Sequence, residues 1–151
     1  MNKIYLGGRY RDKFALVDAK DFSYLKKFIW YRSHGYAFRW EGLKRIFMHR
    51  DLGLNYKYTD HINNNGLDNR RINLRSCTVS ENGANRKINY DNTSGFKGVD
   101  WIKLRKRWRA RIQVRGKRVE LGWYRDPLLA ASAYNRAAGN YFGEYAKTNQ
   151  I

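Results

Sequence analysis

The sequence predicts an α+β protein built from two small modules, and three observations carry that prediction. The last third shows three short strand-like stretches followed by one amphipathic helix. The first third mixes a strand, a short helix and a small meander. Between them asparagine becomes so frequent that continuous regular structure gives way to loops. A chain of 151 residues is long enough for one or two small domains with modest cores, not for a large multilobed enzyme. Hydrophobic residues make up 42% and aromatic residues 16%, enough apolar surface to fold despite a formal net charge of +18.

In the first third, Phe14–Val17 reads as a strand and Asp21 as the cap of a helix whose Phe22, Leu25 and Ile29 share one face. Ile29–Arg32, Tyr36–Trp40 and Lys44–Met48, separated by turn residues that include His34, suggest an antiparallel meander. Residues 1–47 are therefore read as scaffold. Ten asparagines follow, at 55, 63, 64, 65, 69, 73, 82, 85, 89 and 92, a density that points to loops held by side-chain to backbone hydrogen bonds. The turn-forming run Asn89–Gly95 sets the expected boundary between a module at 1–93 and one at 94–151.

In the second module, Gly98–Lys103, Arg107–Val114 and Lys117–Tyr124 have the spacing of a three-stranded meander. Asp126 then caps a helix with Pro127 in its first turn, and the stripe Leu129, Ala133, Ala137 and Tyr141 leads to a stop at Gly143. Alternation in the second strand turns Trp108, Ala110, Ile112 and Val114 toward that helix and Arg107, Arg109, Arg111 and Gln113 away from it. Arg118 and Glu120 of the third strand join the arginines, and Trp101, Lys103 and Arg105 are expected to extend the same surface.

Charge narrows the class of partner. Lys and Arg number 31 against 13 Asp and Glu, and the excess is +9 in residues 1–93 and +9 again in 94–151. Both modules are thus suited to a polyanion. No window approaches 18 consecutive apolar residues, and the opening MNKIYLGGRYRDK is too polar for a secretory leader. The expectation is a soluble, cytoplasmic protein with no membrane partner and no obligate protein partner. Cys77 is the only cysteine, which excludes an intramolecular disulfide and a Cys-rich zinc site; it reads as a small buried residue.

The strings MHRDLG at 48–53 and TDHINNNGLDNRRINLRSCTVSEN at 59–82 hold an Asp-His pair, an Asn thirteen residues after that Asp and another Asn nine further on. Over residues 48–85 this pattern resembles the active-site signature of the HNH endonucleases, in particular their phage and intron-associated homing branch. The resemblance implies a small ββα-metal nuclease module around one divalent cation, with His61 as general base, Asp60 and Asn82 as metal ligands, and Asn73 pinning the loop that orients His61. Asn82 stands where the last letter of the family name expects His. The chemistry agrees with those roles. An imidazole with an ordinary pKa near roughly 6.5 can take a proton from water at neutral pH, and hard oxygen ligands favour Mg²⁺ or Mn²⁺. Arg70, Arg71 and Arg75, beside such a site, are candidates for contact with the DNA backbone. His49, in the MHR element, is read as structural.

From Phe96 to Asn149 the chain resembles the DNA-binding domain of the plant APETALA and ethylene-response transcription factors, through its GV, W-A-I, GKRV-LG, AA-AY and FGE elements. That resemblance implies binding of double-stranded DNA through the three-stranded sheet, with Trp101, Lys103, Arg105, Arg109, Arg111, Gln113, Arg118 and Glu120 on the contact surface. Asp100, Ile102 and Glu120 depart from the plant pattern, so no sequence preference carries over. The two resemblances together imply a site-specific, homing-type endonuclease using one Mg²⁺ or Mn²⁺ ion. The alternatives are a non-enzymatic, sequence-specific DNA-binding regulator and an RNA-binding protein that stacks bases on its aromatics.

Overall fold

Strands β1 (Asn2–Tyr5) and β2 (Phe14–Val17) pair antiparallel, Asn2 opposite Val17, in the computed structural model, which describes residues 2–151. Alternation buries Ile4, Ala15 and Val17. Helix α1 (Ala19–Leu25) follows, and its N-cap is Asp18 rather than the expected Asp21. Asp21 sits inside the first turn, where its charge opposes the helix dipole and its carboxylate accepts two hydrogen bonds from Arg71. The helix ends before Ile29, which is 69% exposed; the apolar face of α1 is Phe22 and Leu25 alone.

The meander forms as expected: β3 (Tyr31–Ser33), β4 (Tyr36–Glu41) and β5 (Lys44–Phe47) make an antiparallel sheet, with His34 at positive φ in its first turn. One turn of helix, α2 (Met48–Asp51), leads toward the hairpin of β6 (Thr59–His61) and β7 (Leu74–Ser76). Leu6, Val17, Leu25, Trp30, Met48 and Leu74 pack as the core beneath these small sheets. At about 25 cal/mol per Å² of apolar area, such a core supplies most of the drive to fold a unit whose sheets are only two or three strands wide.

From Thr78 onward the chain forms a second compact unit, so the division falls at 77/78 and not at the expected 93/94. The reason lies in α3 (Val79–Asn85), which begins with a capping box between Thr78 and Glu81. Ala84 joins a core with Ile112, Tyr134, Ala138 and Phe142. The Lys97 ammonium donates to the carbonyls of Ala84 and Arg86, and the Arg115 amide donates to Ser80 Oγ. The turn-rich run at 89–95 is therefore a connection inside this unit.

Strands β8 (Val99–Ile102), β9 (Arg107–Val114) and β10 (Lys117–Tyr124) form an antiparallel sheet with β9 in the middle. Helix α4 (Pro127–Phe142) starts at Asp126, whose side chain accepts from the Leu128 amide, and ends at Gly143. Its small residues Ala130, Ala131 and Ala133 let it lie close on Val99 and Ala110. Gly98 is required at one contact: its φ is +75° and a Cβ there would collide with the Tyr134 ring. Among the described residues no helix is long and apolar enough to cross a membrane.

Candidate active site

The β6–β7 hairpin places the Asp-His pair. Asp60 and Arg75 are cross-strand partners, and Arg75 Nε donates to Asp60 Oδ2 at 2.9 Å while Nη2 lies 2.9 Å from the same oxygen. Asp60 is buried, and Arg75 supplies the opposite charge that offsets the cost of burying a carboxylate.

His61 is 5% exposed. Its Nε2 lies 3.3 Å from Asn69 Oδ1. The orientation of that amide follows from its other contact: Asn69 Nδ2 donates to the Gly66 carbonyl, which can only accept, so Oδ1 faces the imidazole. Nε2 then carries the proton and the lone pair is on Nδ1. The ring is also packed by Tyr36, with centroids 5.5 Å apart, and by His49, edge-on at 5.1 Å. Gly66 makes room for this packing, since a Cβ would meet the Tyr36 ring at 2.5 Å. Burial lowers the His61 pKa, against the opposing pull of the Asn69 hydrogen bond and the charges of Asp60 and Asp68. The side chain is thereby held as a neutral imidazole at neutral pH.

Asparagines close the intervening loop. Asn73 Oδ1 accepts from the Asn63 amide at 3.0 Å, and Asn73 Nδ2 donates to the Asp68 carbonyl at 2.7 Å. Asn63 Nδ2 in turn donates to Asp68 Oδ2 at 2.8 Å. The loop docks on β2 through Leu16, which donates to Leu67 and accepts from Asn69. Arg70 chelates the buried Asp68 at 2.7 and 2.6 Å, which lowers that carboxyl's pKa. Arg71 binds both Asp21 oxygens, at 2.8 and 2.7 Å, and reaches the Leu52 carbonyl. Each of the three arginines expected at the DNA backbone thus already holds a carboxylate of its own unit. Arg70 and Arg71 keep about a third of their side chains exposed, and Arg75 keeps less.

No family model matches the chain. It is 36% identical over 90 residues to Protein 3.8 of Escherichia phage T7, a match covering 60% of this chain and 74% of that protein. It is 31% identical over 153 aligned positions to an uncharacterised HNH endonuclease of Acanthamoeba polyphaga mimivirus, covering 95% of this chain and 79% of the relative. The chain belongs to the HNH endonuclease family.

In this HNH protein Asp60, His61 and Asn73 come together around one hairpin and its loop, whereas Asn82 lies half-buried in the middle of α3, in the second unit. Among the described residues no group of three or more His, Cys, Asp and Glu could hold a metal ion. The donor chemistry of the two expected ligands nonetheless fits a hard divalent cation, a carboxylate oxygen from Asp60 and an amide oxygen from Asn82. A cation held by Asp60 would share that carboxylate with Arg75. His49, which the sequence left without a chemical task, stacks on Phe47 and has a buried Nδ1 without a hydrogen-bond partner. Burial, then the charges of His61 and Arg50, push its pKa down to about 4.

On the sheet, cross-strand partners share a face. Arg109 stands between Asp100 and Trp123, Arg111 opposite Glu120, and Gln113 opposite Arg118, so these residues form one surface, as expected except for Asp100 and Trp123. Trp101 departs from expectation. Its partner is Trp108, whose ring it meets edge-on at 5.1 Å, so it belongs to the other face while remaining 42% exposed. Lys103 and Arg105 lie in the tight turn after β8. Trp123 was missed because strict alternation from Arg118 turns it inward, and an irregularity between Glu120 and Gly122 turns it back out. Gly122, at φ +132°, is the residue that could have signalled this bulge. Trp123 Nε1 donates to Glu120 Oε1 at 2.6 Å, and the Arg105 guanidinium lies 4.5 Å from its ring centroid. Asn69 was likewise missed, since its partner is eight residues away and only the folded loop joins them.

Proposed function

We propose that the protein is a site-specific, homing-type endonuclease that hydrolyses phosphodiester bonds of double-stranded DNA. His61 is the general base, Asp60 and Asn82 hold one Mg²⁺ or Mn²⁺ ion, and the unit around residues 94–151 finds the site as an APETALA/ethylene-response-factor-type domain. The observation that carries this reading is the His61 imidazole, buried, neutral, and fixed by Asn69 with its lone pair on Nδ1. Family membership and phage and viral relatives support it, and they fit action in the cytoplasm of an infected cell.

In this mechanism Nδ1 accepts a proton from the attacking water as the water oxygen bonds to phosphorus. Asn69 orients the ring, and Asn73 holds the loop so that Asn69 stays in place. Arg75 holds the Asp60 carboxylate in place. The bound cation supplies stabilisation of charge on the departing 3′ oxygen. The arginines of the sheet face, with Gln113 and Glu120 among them, present the donors and acceptors that read base edges in a groove of duplex DNA.

The test is single-turnover cleavage of a genomic library with Mg²⁺ present. His61→Ala is expected to slow cutting by on the order of 10²–10⁴-fold with DNA affinity nearly unchanged. Undiminished cutting by the variant removes His61 from the mechanism. Wild-type protein that binds duplex DNA tightly and never cuts it is the regulator instead.

A further inference from the structure

Within the second unit, a cleft of about 1080 Å³ opens between α3, the far half of β9 and β10. Its charged lining is Arg86, Lys97, Arg111, Arg115 and Arg118 against Glu81 alone. Three of these groups are occupied: Glu81 accepts from the Thr78 amide in the capping box, Lys97 donates to the two carbonyls at the end of α3, and Arg111 pairs with Asp100. Arg86, Arg115 and Arg118 are exposed, and none has an acidic partner among the described residues. The cleft begins where the sheet loses a strand, since β8 pairs only with Arg107–Ala110 and leaves the far half of β9 with no strand on that side.

We propose that this cleft is a backbone track for duplex DNA, in which Arg86 and Arg115 hold phosphates beyond the sheet face. The proposal rests on the reading of this unit as DNA-binding and extends it to a segment outside the sheet. Three features favour a polymer over a single anion. The free guanidinium groups come from three different segments: the end of α3, the β9–β10 turn and β10. None is buried deeply enough to grip one phosphate, because exposed ion pairs are individually weak. Summed over successive phosphates, each contact adds by releasing counterions. Arg111 and Arg118 belong both to the sheet surface and to this lining, so a backbone leaving the sheet meets the cleft without a gap in positive charge.

The experiment uses the full chain carrying Arg86→Gln and Arg115→Gln together, and a fluorescent duplex of arbitrary sequence titrated by anisotropy over a range of KCl concentrations. Loss of two phosphate contacts should make the log–log salt slope shallower by about 1.8, weaken binding to every sequence alike, and leave unchanged the bases chosen from a randomised library. Both side chains are exposed, and an unchanged melting temperature checks that the fold is intact. If affinity and slope stay at wild-type values while Arg111→Ala still weakens binding, DNA binding stands and the cleft is not its track. A change in the bases selected would also overturn the proposal, by making these residues readers. Wild-type protein without salt-dependent affinity for duplex DNA defeats the underlying reading and the track with it.

Discussion

Arginines 70, 71 and 75 and the arginines of the sheet are equally basic in sequence, yet they do different work. In the first region there is one carboxylate for each guanidinium: Asp68 for Arg70, Asp21 for Arg71 and Asp60 for Arg75. These pairs close the loop on itself, tie it to α1 and brace the hairpin, and they leave little charge for a partner. On the sheet, Asp100 is shared, 2.7 Å from Arg109 and 3.1 Å from Arg111, while Arg105 and Arg109 lie over Trp123. Positive charge is in surplus there and is held in a set orientation. The ratio of acids to arginines, rather than the number of arginines, separates a region that holds itself together from one that awaits a polyanion.

The largest test of that contrast is Asp60→Ala. It removes an expected metal ligand and also leaves Arg75 buried without its carboxylate. Breaking a buried pair from one side costs about 3–5 kcal/mol, so denaturant unfolding should move to clearly lower midpoints as cutting disappears. The double variant Asp60→Ala/Arg75→Met should regain much of the stability and none of the cutting. Equal stability of the wild type and the Asp60→Ala single variant would show that the pair does not hold the hairpin.

Next in size is a crossed comparison of Arg71→Ala and Arg111→Ala. The first should lower stability, by stranding Asp21, and leave the salt slope of DNA binding almost unchanged. The second should do the reverse, costing about 1–3 kcal/mol on the preferred site and relaxing selection at particular base pairs. If both variants behave alike in both measurements, the division between the two sets of arginines is wrong. Glu120→Ala refines it: the Glu120 carboxylate accepts from Trp123, so its loss should alter sequence preference more than overall affinity, read by selection from a randomised library.

Local chemistry made much of this legible. Turn residues and alternation place the meander, β9, β10 and α4, because each depends on near neighbours. The asparagine loop follows from side chains that bond their own backbone, as Asn63, Asn65 and Asn73 do. What stayed hidden depends on distant partners. Asp21 looks like a cap until Arg71, fifty residues on, is seen to claim it. The boundary at 77/78 depends on Ala84 and Lys97 packing with strands that lie later in the chain. Trp101 and Trp123 trade faces through cross-strand register and one bulge, neither of which a period of two can show. At the site, the resemblance to the HNH signature is what singles out Asp60, His61 and Asn73, whereas the Asn69 contact and the Arg75 pairing required the fold.

The smallest expected effect concerns His49, whose ring nitrogen Nδ1 is buried and is not held by an opposite charge. The Nδ1 of His49 has no partner, and its pKa lies at about 4 against an ordinary 6.5, chiefly because burial disfavours the charged ring. Between those values the unfolded chain binds a proton that the folded protein refuses, so stability must fall as the pH falls. The contribution of neutral His49 is intact above about 6.5 and is lost progressively toward about 4. His61, lowered in the same direction, adds to that loss. Replacing His49 with Phe keeps a flat ring against Phe47, Tyr36 and His61 and removes the proton. The drop in unfolding midpoint between pH 7 and pH 4.5 should therefore be smaller in His49→Phe than in the wild type, with the two proteins closest in stability at pH 7. An identical drop in both would mean that the acid sensitivity of this unit resides in its paired carboxylates, and that His49 takes up its proton in the folded protein as readily as in the unfolded chain.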